Sequence, residues 1–129
     1  MVAADGHGFI CRSGELVDGG RAMRFRVRRH GEVAPAFVIR FEGVVHAYLN
    51  RCSHRSLELD WIEGEIFDAF GQHLLCATHG ARYAPATGDC IDGPCHGAGL
   101  VKLAVEELDG AVRLAAMDDV HLAESEAVT

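Results

Sequence analysis

The sequence predicts an all-β fold built from antiparallel strands. Residues 24–28 alternate arginine with apolar residues, which is the period of a strand with one buried face. Residues 102–115 contain two strand-like runs separated by Asp109-Gly110, a pair that favours the type I′ turn of a β-hairpin. Helical periodicity is weak along the chain. A length of 129 residues fits one domain with its own core.

The other elements are predicted from short apolar runs and from the turn residues between them. In chain order they are a buried strand at 36–41, a turn at Glu42-Gly43, a strand at 44–49, a short helical turn within 56–62, a turn at Gly71-Gln72 and a strand at 73–76. Residues 102–108 are predicted to be one strand and 111–115 the next. The acidic, alanine-rich tail at 117–129 is predicted to be a short helix or a frayed coil.

Two short motifs of cysteine and histidine carry the chemical signal. Cys52-Ser53-His54 is followed, after 21 residues, by Cys76-Ala77-Thr78-His79. Each motif offers one thiolate sulfur and one imidazole nitrogen. One or two intervening residues allow a tight loop to point both side chains to the same side. The pattern therefore predicts a metal centre held by two converging loops.

The second motif and the residues after it resemble the cluster-binding segment of the Rieske-type iron–sulfur proteins. The resemblance lies in the run Cys76-Ala-Thr-His-Gly-Ala-Arg-Tyr83, then Gly88 and Gly93-Pro94, and it is close over about residues 44–96. It implies a Rieske-type [2Fe–2S] cluster as the cofactor. The implied ligands are Cys52 and Cys76 on one iron and His54 and His79 on the other.

The resemblance also implies roles for four residues beside the ligands. Gly80 permits a close approach of the backbone to the cluster, and Pro94 belongs to a third loop that excludes water. Tyr83 matches a family tyrosine that bonds a cysteine sulfur. Ala81 stands where the high-potential respiratory members carry a serine. Because that donor is lost, we expect a reduction potential below 0 mV, in a family range of about −150 to +300 mV.

The high-potential members carry an extra pair of cysteines that links the two ligand loops by a disulfide. Leu57 and Thr78 occupy those positions here, so that bond cannot form. Cys90 and Cys95 are close enough in sequence to pair in principle. Without a secretory context, the sequence favours reduced thiols near the third loop.

The family fold, taken from the resemblance, is a sandwich-like set of antiparallel sheets with a small cluster-binding subdomain at one end. It implies a single domain over residues 1–129. The cluster-binding part would span about 44–96, the base about 22–43 and 97–116, and the tail 117–129. The gap between the motifs is longer than in the ferredoxin-like members. We assign the surplus to 60–68, as a lengthened hairpin or loop.

Two simpler explanations of the motifs stand beside the cluster. Two cysteines and two histidines can hold zinc in a tetrahedral structural site, although zinc sites more often pair ligands of one kind within one knuckle. Chance placement is the other explanation, since the chain has 5 cysteines and 8 histidines. The accompanying glycines, Tyr83 and Gly93-Pro94 make chance a poor account.

Composition excludes some functions and favours others. The chain carries 19 acidic and 12 basic residues, a net charge of −7, which disfavours nucleic acid as a partner. That charge suits docking onto a basic patch of a redox protein. No targeting segment and no apolar run long enough to cross a membrane is present, so the expected location is the cytoplasm, with no membrane association.

By resemblance, the first functional expectation is a soluble one-electron carrier. It would be a ferredoxin component that passes electrons from a flavin reductase to an oxygenase, and not a catalyst on its own. A full Rieske oxygenase would need a second domain with a mononuclear iron, for which the chain has no room. A Rieske-like small subunit of a larger reductase, such as nitrite reductase, and a non-catalytic redox sensor stay open.

Overall fold

The computed structural model describes residues 8–29, 31–51, 59–60, 62–69, 71–77, 80–93, 99–115 and 120–122. In these residues the chain forms strands and one short 3-10 helix, at Ser13–Glu15. The strands are β1 (Phe9–Arg12), β2 (Met23–Arg29), β3 (Glu32–Phe41), β4 (Val44–Leu49), β5 (Leu74–Leu75), β6 (Arg82–Tyr83), β7 (Cys90–Asp92), β8 (Lys102–Leu103), β9 (Val105–Leu108), β10 (Ala111–Leu114) and β11 (Val120–Leu122). The predicted all-β fold class is confirmed.

The strands form three antiparallel sheets. A five-stranded sheet has the order β11-β2-β3-β4-β8, and a three-stranded sheet has the order β1-β10-β9. A second three-stranded sheet, β5-β6-β7, is formed by the chain between β4 and β8. This third sheet is short, and Cys76 of the second cysteine–histidine motif directly follows its strand β5.

The five-stranded sheet lies between two hydrophobic cores, which explains the continuous apolar run in β3. Ala36 and Val38 face a core shared with β1 and β10, whereas Phe37 and Ile39 face a core shared with the β5-β6-β7 sheet. All four side chains are buried. A strand covered on both faces needs apolar residues at every position, because neither face meets water.

Strand β2 has one buried and one exposed face, as its alternation predicts. Val27 is buried and contributes to the core under β1 and β10, whereas Arg24, Arg26 and Arg28 are exposed. The strand predicted at 44–49 coincides with β4, and the predicted strands at 24–28 and 36–41 lie within β2 and β3. Of the strand predicted at 73–76, Leu74 and Leu75 are paired.

The single strand predicted for 102–108 is wrong, because the chain changes sheets at Ala104. Strand β8 pairs with β4 in the five-stranded sheet, and β9 pairs with β10 in the other. The hairpin that follows is confirmed: Asp109 and Gly110 both have positive φ, at 53° and 77°, as a type I′ turn requires.

The helix or coil predicted for the tail is wrong at Val120–Leu122. These residues form β11 and pair antiparallel with β2, with Val120 opposite Arg29. An unpaired strand edge offers main-chain donors and acceptors to any segment that reaches it, whatever its helix propensity. The helical turn expected within 56–62 lies mostly outside the described residues, and Leu59 and Asp60 are not helical. No helix in the described part of the chain is long and apolar enough to cross a membrane.

Arg40 on β3 links the five-stranded sheet to the β1-β10-β9 sheet. Its guanidinium forms a two-pronged ion pair with Glu107 on β9, with 3.0 Å between Nη1 and Oε1. The same side chain donates to the carbonyl oxygens of Leu16 at 3.0 Å and Ser13 at 3.1 Å. One arginine therefore ties the 3-10 segment and β9 to the five-stranded sheet.

Replacing Glu107 by glutamine is expected to remove part of the acid sensitivity of the fold. The hydrogen bond from Arg40 lowers the pKa of Glu107 from 4.5 to about 2. A carboxyl whose pKa is lower in the folded state contributes stability above pH 4.5, which is lost as the pH falls towards 2. Glu107→Gln should therefore lower the free energy of unfolding at pH 6 and make it depend less on pH between 6 and 3. Urea unfolding at these pH values measures both effects.

Glu106→Gln is the matched control, since Glu106 is exposed on the same strand. It removes the same charge without touching Arg40. If the two variants respond to acid alike, the ion pair does not contribute to the acid response.

Candidate metal centre

The second cysteine–histidine motif begins at Cys76, in the segment that joins β5 to β6. The amide of Cys76 donates to the carbonyl oxygen of Ala81 at 2.9 Å, and the amide of Gly80 donates back to the carbonyl of Cys76 at 2.8 Å. Gly80 has a φ of +77°, a conformation that glycine adopts without steric cost. These bonds fix the backbone on both sides of the pair Thr78-His79, which lies outside the described residues.

The side chain of Cys76 is buried and is not in a disulfide. It belongs to the core between the five-stranded sheet and the β5-β6-β7 sheet, together with Leu59 and Tyr83. A buried sulfur on a backbone held by hydrogen bonds is well placed to ligate a metal.

The first motif lies between two anchored points, Asn50 and Leu59. The amide of Leu59 donates to Oδ1 of Asn50 at 2.8 Å, which brings the two ends of the first loop together. The carbonyl of Leu59 accepts from the amide of Ala77 at 2.9 Å, next to Cys76. The base of the first loop therefore contacts the base of the second. Cys52 and His54 themselves lie outside the described residues.

The third loop begins at Gly93, in close contact with the loop that carries the second motif. Gly93 has a φ of +89°, and a Cβ atom there would lie 2.7 Å from Cα of Ala81 and 3.0 Å from the carbonyl oxygen of Gly80. Only glycine allows this approach, which places the start of the loop beside the second motif. Pro94 lies outside the described residues. The chain returns at Leu100, whose amide donates to the carbonyl of Gly88 at 2.8 Å.

Ala81 and Tyr83 are both fully buried in the same core. Tyr83 lies on β6 opposite Leu74, in the same hairpin as Cys76. A methyl group at Ala81 leaves that buried position without a hydroxyl donor. The structure thus brings Cys76, Gly80, Ala81 and Tyr83 together in one hairpin. Within the described residues, no group of three or more histidine, cysteine or acidic side chains is arranged to hold a metal.

Three buried side chains near this region gave no signal in the sequence. Tyr48 on β4 is buried, and its hydroxyl donates to the carbonyl of Pro85 at 2.6 Å. Its ring lies 2.7 Å from where a Cβ of Gly88 would be, which explains the glycine. Burial raises the pKa of the Tyr48 hydroxyl, so it stays protonated. Asn50 and Asp60 are also buried, although polar residues beside a motif are ordinarily expected in solvated loops.

Cys11 and Cys90 differ from the predicted ligands. Cys11 lies in the opposite core, where burial raises the pKa of its thiol to about 11, so it is a packing residue. Cys90 on β7 is in a disulfide, with a partner outside the described residues. The expectation of a reduced thiol is therefore wrong for Cys90. That expectation rested on the reducing compartment, which does not decide whether local geometry brings two sulfur atoms together.

Residues 62–68, within the segment predicted from the sequence to be lengthened, form a loop and one side of a small hairpin. The amide of Leu75 donates to the carbonyl of Ile66 at 2.8 Å, and that of Asp68 donates to the carbonyl of His73, also at 2.8 Å. The buried carboxylate of Asp68 accepts from the amide of Gln72 at 3.1 Å, in the turn predicted at Gly71-Gln72. Residues 66–68 therefore pair with the chain around β5.

The profile of the family described as the Rieske [2Fe–2S] domain matches residues 7–114. This chain belongs to the Rieske family. Its cofactor is accordingly the Rieske-type [2Fe–2S] cluster, as the motifs predict, and not the alternative zinc ion. No protein of curated function matches the chain significantly.

Solved structures of Rieske proteins share the fold. A chain from the complex of reduced oxygenase and oxidized ferredoxin in carbazole 1,9a-dioxygenase is 28% identical, with a TM-score of 0.64, and the match covers 83% of this chain and 90% of that one. The ferredoxin of carbazole 1,9a-dioxygenase from Nocardioides aromaticivorans IC177 is 22% identical, with a TM-score of 0.66 and coverages of 86% and 98%. The Sphingomonas yanoikuyae B1 ferredoxin is 22% identical, with a TM-score of 0.65 and coverages of 84% and 97%.

The described part of this Rieske domain fits the cluster. It supplies a buried sulfur at Cys76, an adjoining turn closed by Gly80, and a third loop that Gly93 holds against Ala81. A Cβ atom at Gly80 would meet nothing within 4 Å, so the backbone beside the second motif borders open space. The buried sulfur of Cys76 is the kind of ligand that an iron–sulfur centre requires.

Proposed function

We propose that this Rieske protein is a one-electron carrier, a ferredoxin component that passes electrons from a flavin reductase to an oxygenase. The observation that carries the proposal is the 28% identity, over 83% of this chain, to a chain from a complex of oxygenase and ferredoxin. The cluster supplies a centre that gains and loses single electrons. The similarities do not favour a nitrite reductase subunit or a redox sensor.

Four residues are proposed as the ligands of the cluster. Cys52 and Cys76 hold one iron, and His54 and His79 hold the other. The buried position of the Cys76 sulfur and the contact between Leu59 and Ala77 at the base of both loops support this assignment. Neutral imidazoles at one iron add less negative charge than thiolates, which raises the potential relative to a centre with four cysteines.

The residues around the ligands are proposed to set the potential and to exclude water. By resemblance, the backbone at Gly80 would approach the cluster closely, the hydroxyl of Tyr83 would donate to a cysteine sulfur, and Pro94 would belong to the loop that excludes water. The missing hydroxyl at Ala81 leaves the reduced cluster with one hydrogen bond fewer. The carrier acts in the cytoplasm, where its charge of −7 favours docking onto a basic surface of its redox partners.

Electron paramagnetic resonance of the anaerobically purified, dithionite-reduced protein tests the cluster. We expect a rhombic signal with an average g value below that of the free electron, together with iron and sulfide in equal amounts, and a potential below 0 mV.

Ala81→Ser should raise that potential, because the serine hydroxyl can donate to a sulfur. A silent spectrum with stoichiometric zinc would refute the carrier, and a potential of about +200 mV or more would refute the effect assigned to Ala81.

A reconstituted electron-transfer chain tests the carrier role itself. With a flavin reductase and a Rieske oxygenase, product formation should require this protein in catalytic amounts, and the rate should fall as salt is added, because salt screens the docking charges. Direct reduction of the oxygenase at the same rate without this protein would contradict the proposal.

A further inference from the structure

Asn50 occupies an unusual position for a polar side chain. It directly follows β4, and the alternation of that strand turns it to the same face as Tyr48, towards the core that contains Cys76. Its exposed fraction is 0%. Burying an amide side chain costs free energy unless all of its polar atoms are bonded, so the position calls for a specific set of partners.

Both ends of the Asn50 side chain are bonded within the base of the first ligand loop. Oδ1 accepts from the amide of Leu59 at 2.8 Å, and Nδ2 donates to Oδ1 of Asp60 at 2.9 Å. The main-chain amide of Asn50 donates to the carbonyl of Pro35 on β3 at 2.8 Å. The side chain of Asn50 thus closes the segment that carries Cys52 and His54, and its main-chain amide fastens that segment to the five-stranded sheet.

The series of hydrogen bonds that begins at Asn50 continues to the second ligand loop. Leu59, held by Asn50, accepts from the amide of Ala77 at 2.9 Å. The buried Asp60 accepts from the amide of Gly64 at 2.9 Å and lies 3.7 Å from the guanidinium Nε of Arg24 on β2. Leu59 therefore has one main-chain group bonded to each ligand loop. Any shift of Asn50 moves the base of the first loop relative to Cys76.

We propose that Asn50 is a positioning residue that sets the separation of the two ligand loops and thereby controls how tightly the cluster is held. The inference rests on the ligand assignment given under the proposed function. The partners require an amide: the Leu59 N–H needs an acceptor, and the Asp60 carboxylate needs a donor. Aspartate at position 50 would supply only acceptors, and an aliphatic residue would supply neither.

A pair of reciprocal substitutions tests the proposal. In Asn50→Asp two carboxylates face each other, and above the pH at which they stop sharing a proton their repulsion should separate the loops. Adding Asp60→Asn restores one amide and one carboxylate. The carboxylate at position 50 then accepts from the amide of Leu59 and from the side-chain nitrogen at position 60, while the side-chain oxygen at position 60 accepts from Gly64.

The rate of cluster release to bathophenanthroline is the first readout, and the g values of the reduced protein are the second. Release should be about tenfold faster in Asn50→Asp, the size expected for a buried pair left unsatisfied, and the g values should change. The double variant should recover most of both.

Tyr48→Phe is the matched control. It also removes a buried hydrogen bond from the same core, the one to Pro85, but this bond does not join the ligand loops. Its release rate and g values should stay close to those of the wild type. Two results would overturn the proposal. One is an equal change of release rate and g values in Tyr48→Phe and Asn50→Asp when both lose the same thermal stability. The other is no recovery in the double variant.

The remaining outcomes are also decisive. If Asn50→Asp fails to fold and the double variant folds with a normal spectrum, the pairing is required, as proposed. If neither folds, Asn50 acts in folding and not in positioning, and the proposal fails. A wild-type protein without the rhombic signal would instead refute the proposed function.

Discussion

Replacing Cys76 by alanine is expected to leave the protein without its [2Fe–2S] cluster. The sulfur of Cys76 is buried at the end of the β5–β6 hairpin, and its amide is held by Ala81, so no other side chain can take its place without moving the hairpin. The iron and acid-labile sulfide contents should fall to background levels, and the electron paramagnetic resonance signal of the reduced protein should vanish. The hairpin should also become less stable, because a ligated metal centre contributes to folding.

Cys11→Ala is the matched control for this experiment. Cys11 is also buried and outside any disulfide, but it packs in the opposite core, between the five-stranded sheet and the β1-β10-β9 sheet. Its loss creates a small cavity of comparable size and should leave iron, sulfide and the spectrum unchanged. Retention of a full cluster in Cys76→Ala, or its loss in Cys11→Ala, would refute the ligand assignment. Circular dichroism of both variants verifies that each is folded.

Gly93→Ala is expected to weaken both the fold and cluster retention. The new Cβ atom would lie 2.7 Å from Cα of Ala81, and main-chain atoms cannot move away as a flexible side chain can. The third loop must then shift away from the second ligand loop. We expect a loss of about 1–2 kcal/mol from the left-handed backbone, and about 1–3 kcal/mol more from the steric conflict. Thermal unfolding followed by circular dichroism and iron release followed by absorbance measure the two effects.

Gly31→Ala separates the backbone cost from the steric cost. Gly31 has a φ of +81°, close to that of Gly93, but a Cβ there would meet nothing within 4 Å. This variant should lose only the backbone contribution and should keep the cluster as firmly as the wild type. If the two variants release iron at the same rate, the contact between Gly93 and Ala81 does not hold the third loop in place.

The parts of the fold that could be predicted are those in which local pattern and burial agree. Strand β4 was predicted with its observed ends because a glycine turn precedes it and its apolar residues are nearly continuous. The Asp109-Gly110 turn was predicted because its backbone requirement is local. In such segments the local backbone preferences and the tertiary packing favour the same residues.

The parts that could not be predicted depend on contacts that are distant in sequence. No turn residue interrupts the chain at Ala104, so the pattern of 102–108 does not reveal that its two halves pair with different strands. Strand β11 has three residues and no strong strand preference, and it forms because the edge of β2 is unpaired. Both features follow from tertiary structure.

The candidate site shows the same division. The spacing of cysteine and histidine predicted the centre, since ligand chemistry restricts the residue types and the loop lengths. The supporting pair Asn50 and Asp60 gave no signal, because a buried amide and a solvated loop amide look alike in a single sequence. The disulfide of Cys90 was missed for a different reason: the sequence allowed a pair, but the expected reducing compartment argued against a bond.

The pairing of β1 with β10 has a consequence for how the protein is made. Phe9 lies opposite Arg113, so this sheet closes only after nearly the whole described chain has left the ribosome. Such non-local pairing forms slowly, because the chain entropy lost on closing a long loop precedes the gain in contacts. The segment that carries both cysteine–histidine motifs is synthesised earlier, between β4 and β8. Its cysteines therefore leave the ribosome before their supporting scaffold is complete.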